Sequence, residues 1–432
     1  MQRRQFLKIS SAAAVSTLLF SQCAEEKQSN IIFIMVDDFG YECLGCNGST
    51  SYQTPHIDQL AESGVRFEHA YSTPLCTPTR VQVMTGQYNF RNYTEFGSLP
   101  PGEFTFGHLL QQAGYKTCVA GKWQLAGKIE GTQYRGQGTL PQDAGFDEHC
   151  LWQVKHKGSR YWNPTINENG VLHEQLRGEF GPDVFTDYIT DFITRHQSDP
   201  FFVYYPMALT HNPFVPTPHQ NPTGEEKQSD DPSHFKYFVE YTDSLVGRIV
   251  ETLDRLNLRE NTLIVFTGDN GTKNTVTSRL QDKSIRGDKG NPTVYGTHVP
   301  LIVNWKDRIA PKQVNKNLID FTDFFVTFAE AAGIAPPADL PLDGQSFLPQ
   351  LLGQPCETRD WVFCHYEPRW SRWQPARFVH DRTWKLYQDG RIYNIARDPL
   401  EENIILYSDL DTAVKQIIDS FKAVLENLKG VN

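Results

Sequence analysis

Excess positive charge, long apolar runs and repeats are all missing from this 432-residue sequence. Lysine and arginine number 41 against 51 aspartate and glutamate residues, a formal net charge of −10. Little would neutralise nucleic-acid phosphates, so we expect no nucleic-acid partner. Beyond the N-terminus no apolar run reaches the roughly 18 residues of a membrane-spanning helix. The 31 glycines and 26 prolines follow no fixed period, which excludes a collagen-like chain.

The N-terminal segment, residues 1–23, is typical of an export signal. Arg3 and Arg4 lie in a short charged region, and the apolar stretch Ser11–Phe20 is too short to cross a bilayer. The pattern predicts a twin-arginine signal, its recognition by the twin-arginine export machinery, and a periplasmic location. The alternative is a cytosolic protein with a basic N-terminal helix. Cys23 lies where a bacterial lipoprotein would be acylated, but Gln22 is bulkier than usual there, so lipid anchoring stays open.

Short apolar runs alternate with helical patterns along most of the chain. The runs at 31–36, 201–205, 262–266 and 301–303 are continuously apolar, which is typical of strands buried on both faces of a mostly parallel sheet. Helical periodicity is clearest at about 234–257. The alternation of strands and helices predicts an α/β sandwich.

The C-terminal part follows a different pattern. Residues 384–393 are typical of a β-hairpin closed by Asp389-Gly390, and residues 409–428 of a closing helix. We therefore predict a large α/β domain over residues 29–340. A small subdomain with an antiparallel sheet and a helix would follow over residues 341–432.

Polar clusters follow several of the predicted strands. They are Asp37-Asp38, Gly121–Gln124, Thr210–Asn212 and Thr267–Gly271. In open α/β sheets the ligand site lies beyond the carboxyl ends of the strands. Four clusters at four strand ends therefore predict one shared site.

Two of these clusters offer ligands for a hard cation. Asp37 and Asp38 contribute carboxylates, and Asp269 and Asn270 contribute a carboxylate and an amide, with no histidine or cysteine beside them. Oxygen ligands of this kind favour calcium or magnesium over zinc. Either pair alone could cap a helix or form a surface turn, but two pairs at two strand ends favour a metal site.

The motif Cys76-Thr77-Pro78-Thr79-Arg80 predicts an anion site. Pro78 fits the first turn of a helix, where its missing N–H is harmless. Cys76 would then lie beside the exposed N–H groups of the helix N-terminus, and Arg80 could reach back from one turn on. A buried cysteine preceding a helix is the alternative that the five residues alone leave open.

Taken together, these motifs resemble those of the formylglycine-dependent type I sulfatases, the arylsulfatase-like members of the alkaline-phosphatase superfamily. The resemblance covers about residues 29 to 400 and implies an alkaline-phosphatase-like sandwich. It rests on Asp37-Asp38, Cys76–Arg80 with Thr85-Gly86, Gly121–Trp123, Thr210-His211 with Pro213-Phe214, Asp269–Gly271, Arg286–Gly290 and Asp398-Pro399.

The resemblance implies a role for each motif residue. In the family, the cysteine corresponding to Cys76 is converted to formylglycine by a formylglycine-generating or sulfatase-maturating enzyme, and its hydrate attacks sulfur. Arg80, Lys122 and Lys289 would hold the sulfate, and His211 would protonate the leaving oxygen. Calcium, or magnesium as the alternative, would be bound by Asp37, Asp38, Asp269 and Asn270.

Three functions therefore compete. The first is a sulfatase acting on sulfated glycans. The second is a phosphate or phosphonate ester hydrolase on the same scaffold, because the same centre could serve either anion. The third is a non-catalytic glycan-binding relative, which the intact motif residues disfavour.

The chain also departs from the family pattern. Gln124 stands where the family usually has a histidine, and glutamine cannot titrate near neutral pH. The stretch Val294–His298 replaces a glycine-rich sequence that usually precedes the Val-Pro pair. Neither change affects the nucleophile or the metal ligands.

Substrate contacts are predicted from aromatic and basic residues. Tryptophan faces can stack on sugar rings, and arginine can pair with sulfate or carboxylate. A second basic and aromatic stretch spans residues 155–162. Ordinary core packing and solvated loops are the alternative. The candidate substrate contacts are Gln124, His298, His365, Arg369, Trp370 and Arg372.

Overall fold

The computed structural model describes residues 28–428 apart from 130–131, 223, 225–229 and 371–372. The predicted export signal, Cys23 and the candidate substrate contact Arg372 lie outside the described residues. Within them, no helix has the length and apolarity needed to cross a membrane.

Strands and α-helices alternate along most of the chain. The strands are β1 (Asn30–Val36), β2 (Val65–Tyr71), β3 (Lys116–Lys122), β4 (Glu148–Trp152), β5 (Ile166–Glu168), β6 (Val171–His173), β7 (Phe201–Pro206), β8 (Thr262–Gly268), β9 (Thr277–Leu280), β10 (Lys283–Arg286), β11 (His298–Asn304), β12 (Gln313–Asp320), β13 (Val362–Tyr366), β14 (Ala376–His380), β15 (Trp384–Tyr387) and β16 (Ile392–Asn394). The α-helices are α1 (Pro55–Glu62), α2 (Cys76–Thr85), α3 (Asn89–Asn92), α4 (Phe106–Gln112), α5 (Gly181–Arg195), α6 (Phe235–Arg255), α7 (Val294–Thr297), α8 (Asp323–Ala331), α9 (Leu348–Leu351) and α10 (Thr412–Asn427).

One large sheet organises the molecule. Among the described residues it has ten strands, in the order β12-β2-β11-β8-β1-β7-β3-β4-β5-β6. β1 is parallel to both of its neighbours, β7 and β8, and β3 is parallel to β7 and β4. β11 runs antiparallel to β2 and β8. The sheet is therefore mostly parallel, which confirms the predicted fold class.

Both faces of this sheet are covered. Every residue of β1 is buried, and successive side chains alternate between two apolar cores. Ile32 and Ile34 pack in the core that contains residues of α5 and α6, whereas Ile31 and Phe33 pack in the core that contains residues of α4 and α8. Burial on both faces explains why the predicted strand is apolar without alternation.

The C-terminal part forms a separate small sheet. Strands β13 to β16 pair in sequence order, all antiparallel. The turn between β15 and β16 contains Gly390 with φ of 90°, a left-handed value that glycine adopts without strain. Helix α10 packs on this sheet through Ile418 and Phe421. The predicted hairpin and closing helix are therefore confirmed, and the domain boundary near residue 340 stays a prediction.

Candidate active site

The sheet order explains how distant motifs meet. β8, β1, β7 and β3 are consecutive neighbours, and all four are parallel. Asp37-Asp38 follows β1, Asp269-Asn270 follows β8, and Lys122 ends β3. Because the carboxyl ends of parallel strands lie at one edge, these side chains converge there.

The four predicted metal ligands form one buried group, which we call the oxygen cluster: Asp37, Asp38, Asp269 and Asn270, each 0% exposed. The amide of Asn270 donates to Oδ1 of Asp38 at 2.9 Å, and the backbone N–H of Asp38 donates to Oδ1 of Asp269 at 2.9 Å. Asp37 Oδ1, Asp269 Oδ2 and Asn270 Oδ1 are buried without a hydrogen-bond partner among the described residues. Orphaned acceptors of this kind are costly unless a donor or a cation satisfies them.

The electrostatics of the oxygen cluster also favour a cation. The pKa of Asp269 is raised to about 8, first by burial and then by repulsion from Asp37. Burial alone would raise the pKa of Asp37, but Lys122 and other cations outweigh it and hold that pKa below its usual range. A divalent ion between the two carboxylates would relieve their repulsion. The residues present therefore fit a hard metal ion.

Cys76 is the first residue of α2 and lies beside the oxygen cluster. Its side chain is 2% exposed, and its Sγ is 3.5 Å from Nζ of Lys122, which also donates to Oδ2 of Asp37 at 2.6 Å. Burial raises the pKa of the Cys76 thiol, although Lys122 opposes this. The unmodified thiol is therefore a weak nucleophile at neutral pH.

Arg80 lies one helical turn after Cys76 and is buried. Its Nη1 donates to the carbonyl oxygen of Lys122 at 2.6 Å, and its Nη2 is 3.5 Å from Oδ2 of Asp269. Nε and Nη2 have no hydrogen-bond partner among the described residues. These two donors are available to an anion placed next to residue 76.

Lys289 and His211 complete the ring of charged groups. Nζ of Lys289 is 2.5 Å from Oδ1 of Asp38. Burial alone would lower the pKa of Lys289, but the nearby charge of Asp38 outweighs burial and the net pKa is raised. The ammonium therefore stays charged. Nδ1 of His211 lies 2.6 Å from the carbonyl oxygen of Asn212, an acceptor, which leaves Nε2 directed towards Asp38 at 3.8 Å. Burial and then Lys289 lower the pKa of His211 well below its ordinary value.

Gln124 faces the same point from the end of β3. Its backbone has φ of 51°, and its Oε1 is 3.9 Å from Sγ of Cys76. Its Nε2 donates to the hydroxyl of Tyr134, which fixes the amide with its oxygen towards residue 76. Sequence reasoning missed Tyr134, because it lies in a loop without a periodic or motif signal.

An open cavity of about 560 Å³ leads to this centre. Cys76, Gln124, His211 and Lys289 face it, and so does Trp370, the predicted stacking residue. Further aromatic and basic residues that line it are Phe96, Tyr134, Trp152, Trp373, Lys157, Arg160 and Lys273.

The structure places the remaining predicted substrate contacts elsewhere. His298 stacks on Tyr41 with ring centroids 4.2 Å apart and makes a 2.9 Å hydrogen bond to the carbonyl oxygen of Glu68. His365 lines a different cavity of about 320 Å³, between β13 and β14. Arg369 is exposed and pairs with Glu367 at 3.1 Å. None of the three is among the residues that line the active-site cavity.

Two family models together match nearly the whole described chain. Residues 29–334 match the family model Sulfatase, and residues 293–430 match the model N-sulphoglucosamine sulphohydrolase, C-terminal. The chain therefore belongs to the sulfatase family, as its motifs predicted. It is a sulfuric ester hydrolase.

Relatives of known activity match over most of the chain. The chain is 27% identical to the N-acetylgalactosamine-6-O-sulfatase of Bacteroides thetaiotaomicron, over 92% of this chain and 93% of that protein. It is 30% identical to the N-acetylgalactosamine-6-sulfatase of Canis lupus familiaris, over 75% of this chain, and it spans 66% of the length of that protein. Its fold is similar, with a TM-score of 0.76, 20% identity and coverage of 94% of this chain and 99% of the other, to a protein solved with its substrate D-glucosamine-2-N,6-O-disulfate.

Proposed function

We propose that this sulfatase hydrolyses sulfate esters of glycans, using a formylglycine made from Cys76 and a calcium ion held by the oxygen cluster. One observation carries the proposal. The oxygen cluster has buried acceptors without a hydrogen-bond partner among the described residues, and Arg80 has buried donors without one. Both sets of atoms lie around Cys76. A divalent cation would satisfy the acceptors, and a sulfate would satisfy the donors.

The residues of the chain divide the work of ester cleavage. A formylglycine at position 76 would supply an oxygen nucleophile in its hydrated form, and the metal would supply positive charge that offsets repulsion by the sulfate. Arg80, Lys122 and Lys289 orient the sulfate and neutralise its oxygens. His211 protonates the leaving oxygen from Nε2, which a poorly leaving sugar alkoxide requires.

The identity of the cleaved ester can be tested directly. Purified, matured enzyme should release sulfate from an aryl sulfate and from sulfated saccharides much faster than it releases phosphate from the matched phosphate esters. Faster phosphate release would instead indicate an ester hydrolase of the phosphate type on the same scaffold. No release of either anion would indicate a binding protein.

The metal is expected to be calcium, with magnesium ranked second, because all four ligands offer hard oxygen atoms. Elemental analysis should find it in equimolar amount, and Asp269→Asn should lose it together with most activity. The exposed Asp191, which pairs with Arg195 on the surface of α5, provides the control variant Asp191→Asn, which should keep the metal.

Chelation should also lower the melting temperature. A ligand at about 100 times its Kd stabilises the folded state by about 2.7 kcal/mol, and stripping it leaves the Asp37–Asp269 repulsion in place. Stoichiometric zinc without calcium or magnesium would contradict the assignment.

Support for a glycan substrate comes from the relatives and from the aromatic lining. The bacterial relative acts on N-acetylgalactosamine 6-O-sulfate groups by its name. In this chain Trp370 stacks on Phe96 with ring centroids 4.7 Å apart, and both line the cavity. Flat aromatic faces of this kind can pack against the apolar faces of sugar rings.

Trp370→Ala is expected to raise KM for a sulfated oligosaccharide by more than it raises KM for a small aryl sulfate, because only the glycan reaches the aromatic lining. Steady-state kinetics on both substrates measure the effect. Trp384→Ala, in the C-terminal sheet and away from the cavity, controls for lost stability. Equal losses on both substrates would indicate that Trp370 has a folding role.

A further inference from the structure

The charges that line the cavity are unbalanced. Among the described residues, its lining contains the cations Lys157, Arg160, Lys273 and Lys289 and no aspartate or glutamate. At the floor, the cations Arg80, Lys122 and Lys289 already match the three carboxylates of the oxygen cluster. The scissile sulfate and one divalent metal ion would add little further imbalance. The lining therefore holds three further cations, Lys157, Arg160 and Lys273, beyond those that balance the oxygen cluster.

The guanidinium of Arg160 is oriented by stacking, but not all of its hydrogen-bond donors have a partner among the described residues. Its guanidinium lies over the ring of Trp152, with the central carbon 4.0 Å from the ring centroid. Its Nη1 is 3.8 Å from Oδ2 of Asp37, too far for a hydrogen bond. That nitrogen is buried and has no hydrogen-bond partner among the described residues. Nη1 therefore faces Asp37, whereas the side chain as a whole is 14% exposed and lines the cavity. A guanidinium oriented by stacking in this way is preorganised for an oxyanion in the cavity.

The other two cations differ in whether a nearby carboxylate neutralises their charge. Lys157 is exposed and forms no ion pair with any described residue. Lys273 is partly neutralised, because its Nζ is 3.7 Å from Oδ2 of Asp230. Lys157 also borders a neighbouring cavity of about 690 Å³, whose lining contains both Arg177 and Glu174. Lys157 is therefore the least neutralised of the three cations.

We propose that Arg160 and Lys157, assisted by Lys273, bind a second anionic group of the substrate, a sulfate or a carboxylate near the sulfate that is cleaved. The substrate class is then a polyanionic glycan rather than a sugar with a single sulfate. This inference rests on the proposed sulfatase function. Excess cations without lining carboxylates would select the second negative charge by complementarity.

The test compares four substrates. Three are disaccharides with the same scissile sulfate: one is otherwise neutral, one carries a second sulfate, and one carries a uronate. The fourth is a small aryl sulfate. The wild-type kcat/KM should be roughly tenfold or more higher on at least one dianionic disaccharide than on the neutral one, mainly through KM, as expected for charge-assisted hydrogen bonds. Preference for the disulfated disaccharide would identify the second anionic group as a sulfate. Preference for the disaccharide with a uronate would identify it as a carboxylate.

The variants assign the preference to these residues. Arg160→Met and Lys157→Met should bring the ratio of dianionic to monoanionic kcat/KM close to one, and Arg160→Lys should retain part of it. Lys155→Met, an exposed neighbour outside the lining, should leave the ratio unchanged.

Two results would overturn the inference. One is a wild-type enzyme that hydrolyses all the disaccharides equally well. The other is an Arg160→Met variant that loses the same factor on every substrate. Failure to release sulfate even from the aryl sulfate would refute the proposed function itself, which keeps the two failures distinguishable.

Discussion

Cys76→Ala is expected to reduce sulfate release by roughly 10⁶-fold, the scale of loss that follows removal of a catalytic nucleophile. The side chain lies beside the oxygen cluster, 3.5 Å from Nζ of Lys122, and none of the other residues described in the cavity lining is a cysteine or a serine. Alanine fits the first turn of α2 without strain, so the variant should fold. Measured rates of sulfate release, with circular dichroism to verify folding, provide the test.

A second cysteine provides the control for Cys76. Cys356 is an exposed free cysteine, and Cys356→Ala should retain full activity. Mass analysis of the peptide that contains residue 76 should find formylglycine in protein made with a maturation enzyme. An unmodified thiol at position 76 in fully active protein would refute the proposed nucleophile, because activity would then not require formylglycine.

His211→Ala is expected to slow hydrolysis of a sugar or alkyl sulfate by roughly 10²- to 10⁴-fold, the usual contribution of a general acid. An activated aryl sulfate should lose far less, because its leaving group needs little protonation. The reason is geometric: Nε2 of His211 is directed into the cavity beside Asp38. Rates on a series of leaving groups of increasing basicity measure the difference.

The pH dependence of the activity should also be that of a general acid. In the free protein, burial and Lys289 lower the pKa of His211, so the imidazole is neutral near neutral pH. The negative charge of a bound sulfate ester raises that pKa and favours the imidazolium. Since the acid form is required, activity should fall as pH rises through the pKa of the complex.

A half-buried histidine far from the site serves as the control for His211. His173→Ala should change neither the leaving-group dependence nor the pH profile, because His173 lies at the far edge of the sheet, where it pairs with Glu168. If His211→Ala lost the same factor on sugar and aryl sulfates, His211 would not be the leaving-group acid. Lys289 would then be the next candidate.

Several features of the fold were predictable because they leave a local pattern. The continuously apolar run at 31–36 predicted a strand buried on both faces, and β1 is one. The Asp389-Gly390 pair predicted the turn between β15 and β16. The strand order was not predictable, because pairing between β8 and β1 joins segments more than 200 residues apart and no local pattern encodes it.

Side-chain direction explains why His298, a predicted substrate contact, lies outside the active-site cavity. His298 begins β11, which is antiparallel to β8, so it does lie towards the edge of the sheet that carries the site. Its ring nevertheless packs on Tyr41 and Tyr71 rather than into the cavity. One residue of register decides which face of a strand a side chain occupies, and a single sequence does not reveal it.

The sequence by itself determined the family of this protein and the residues proposed for its active site. The proposed oxygen ligands, nucleophile, cations and acid each lie in a short motif, and most of them directly follow a strand or begin a helix. Only the tertiary structure decided the surroundings of that centre. Tyr134, Arg160 and Lys273 come from three different loops, whose course depends on packing rather than on periodicity. The orientation of Gln124 and the excess positive charge of the cavity therefore emerge only in the folded chain.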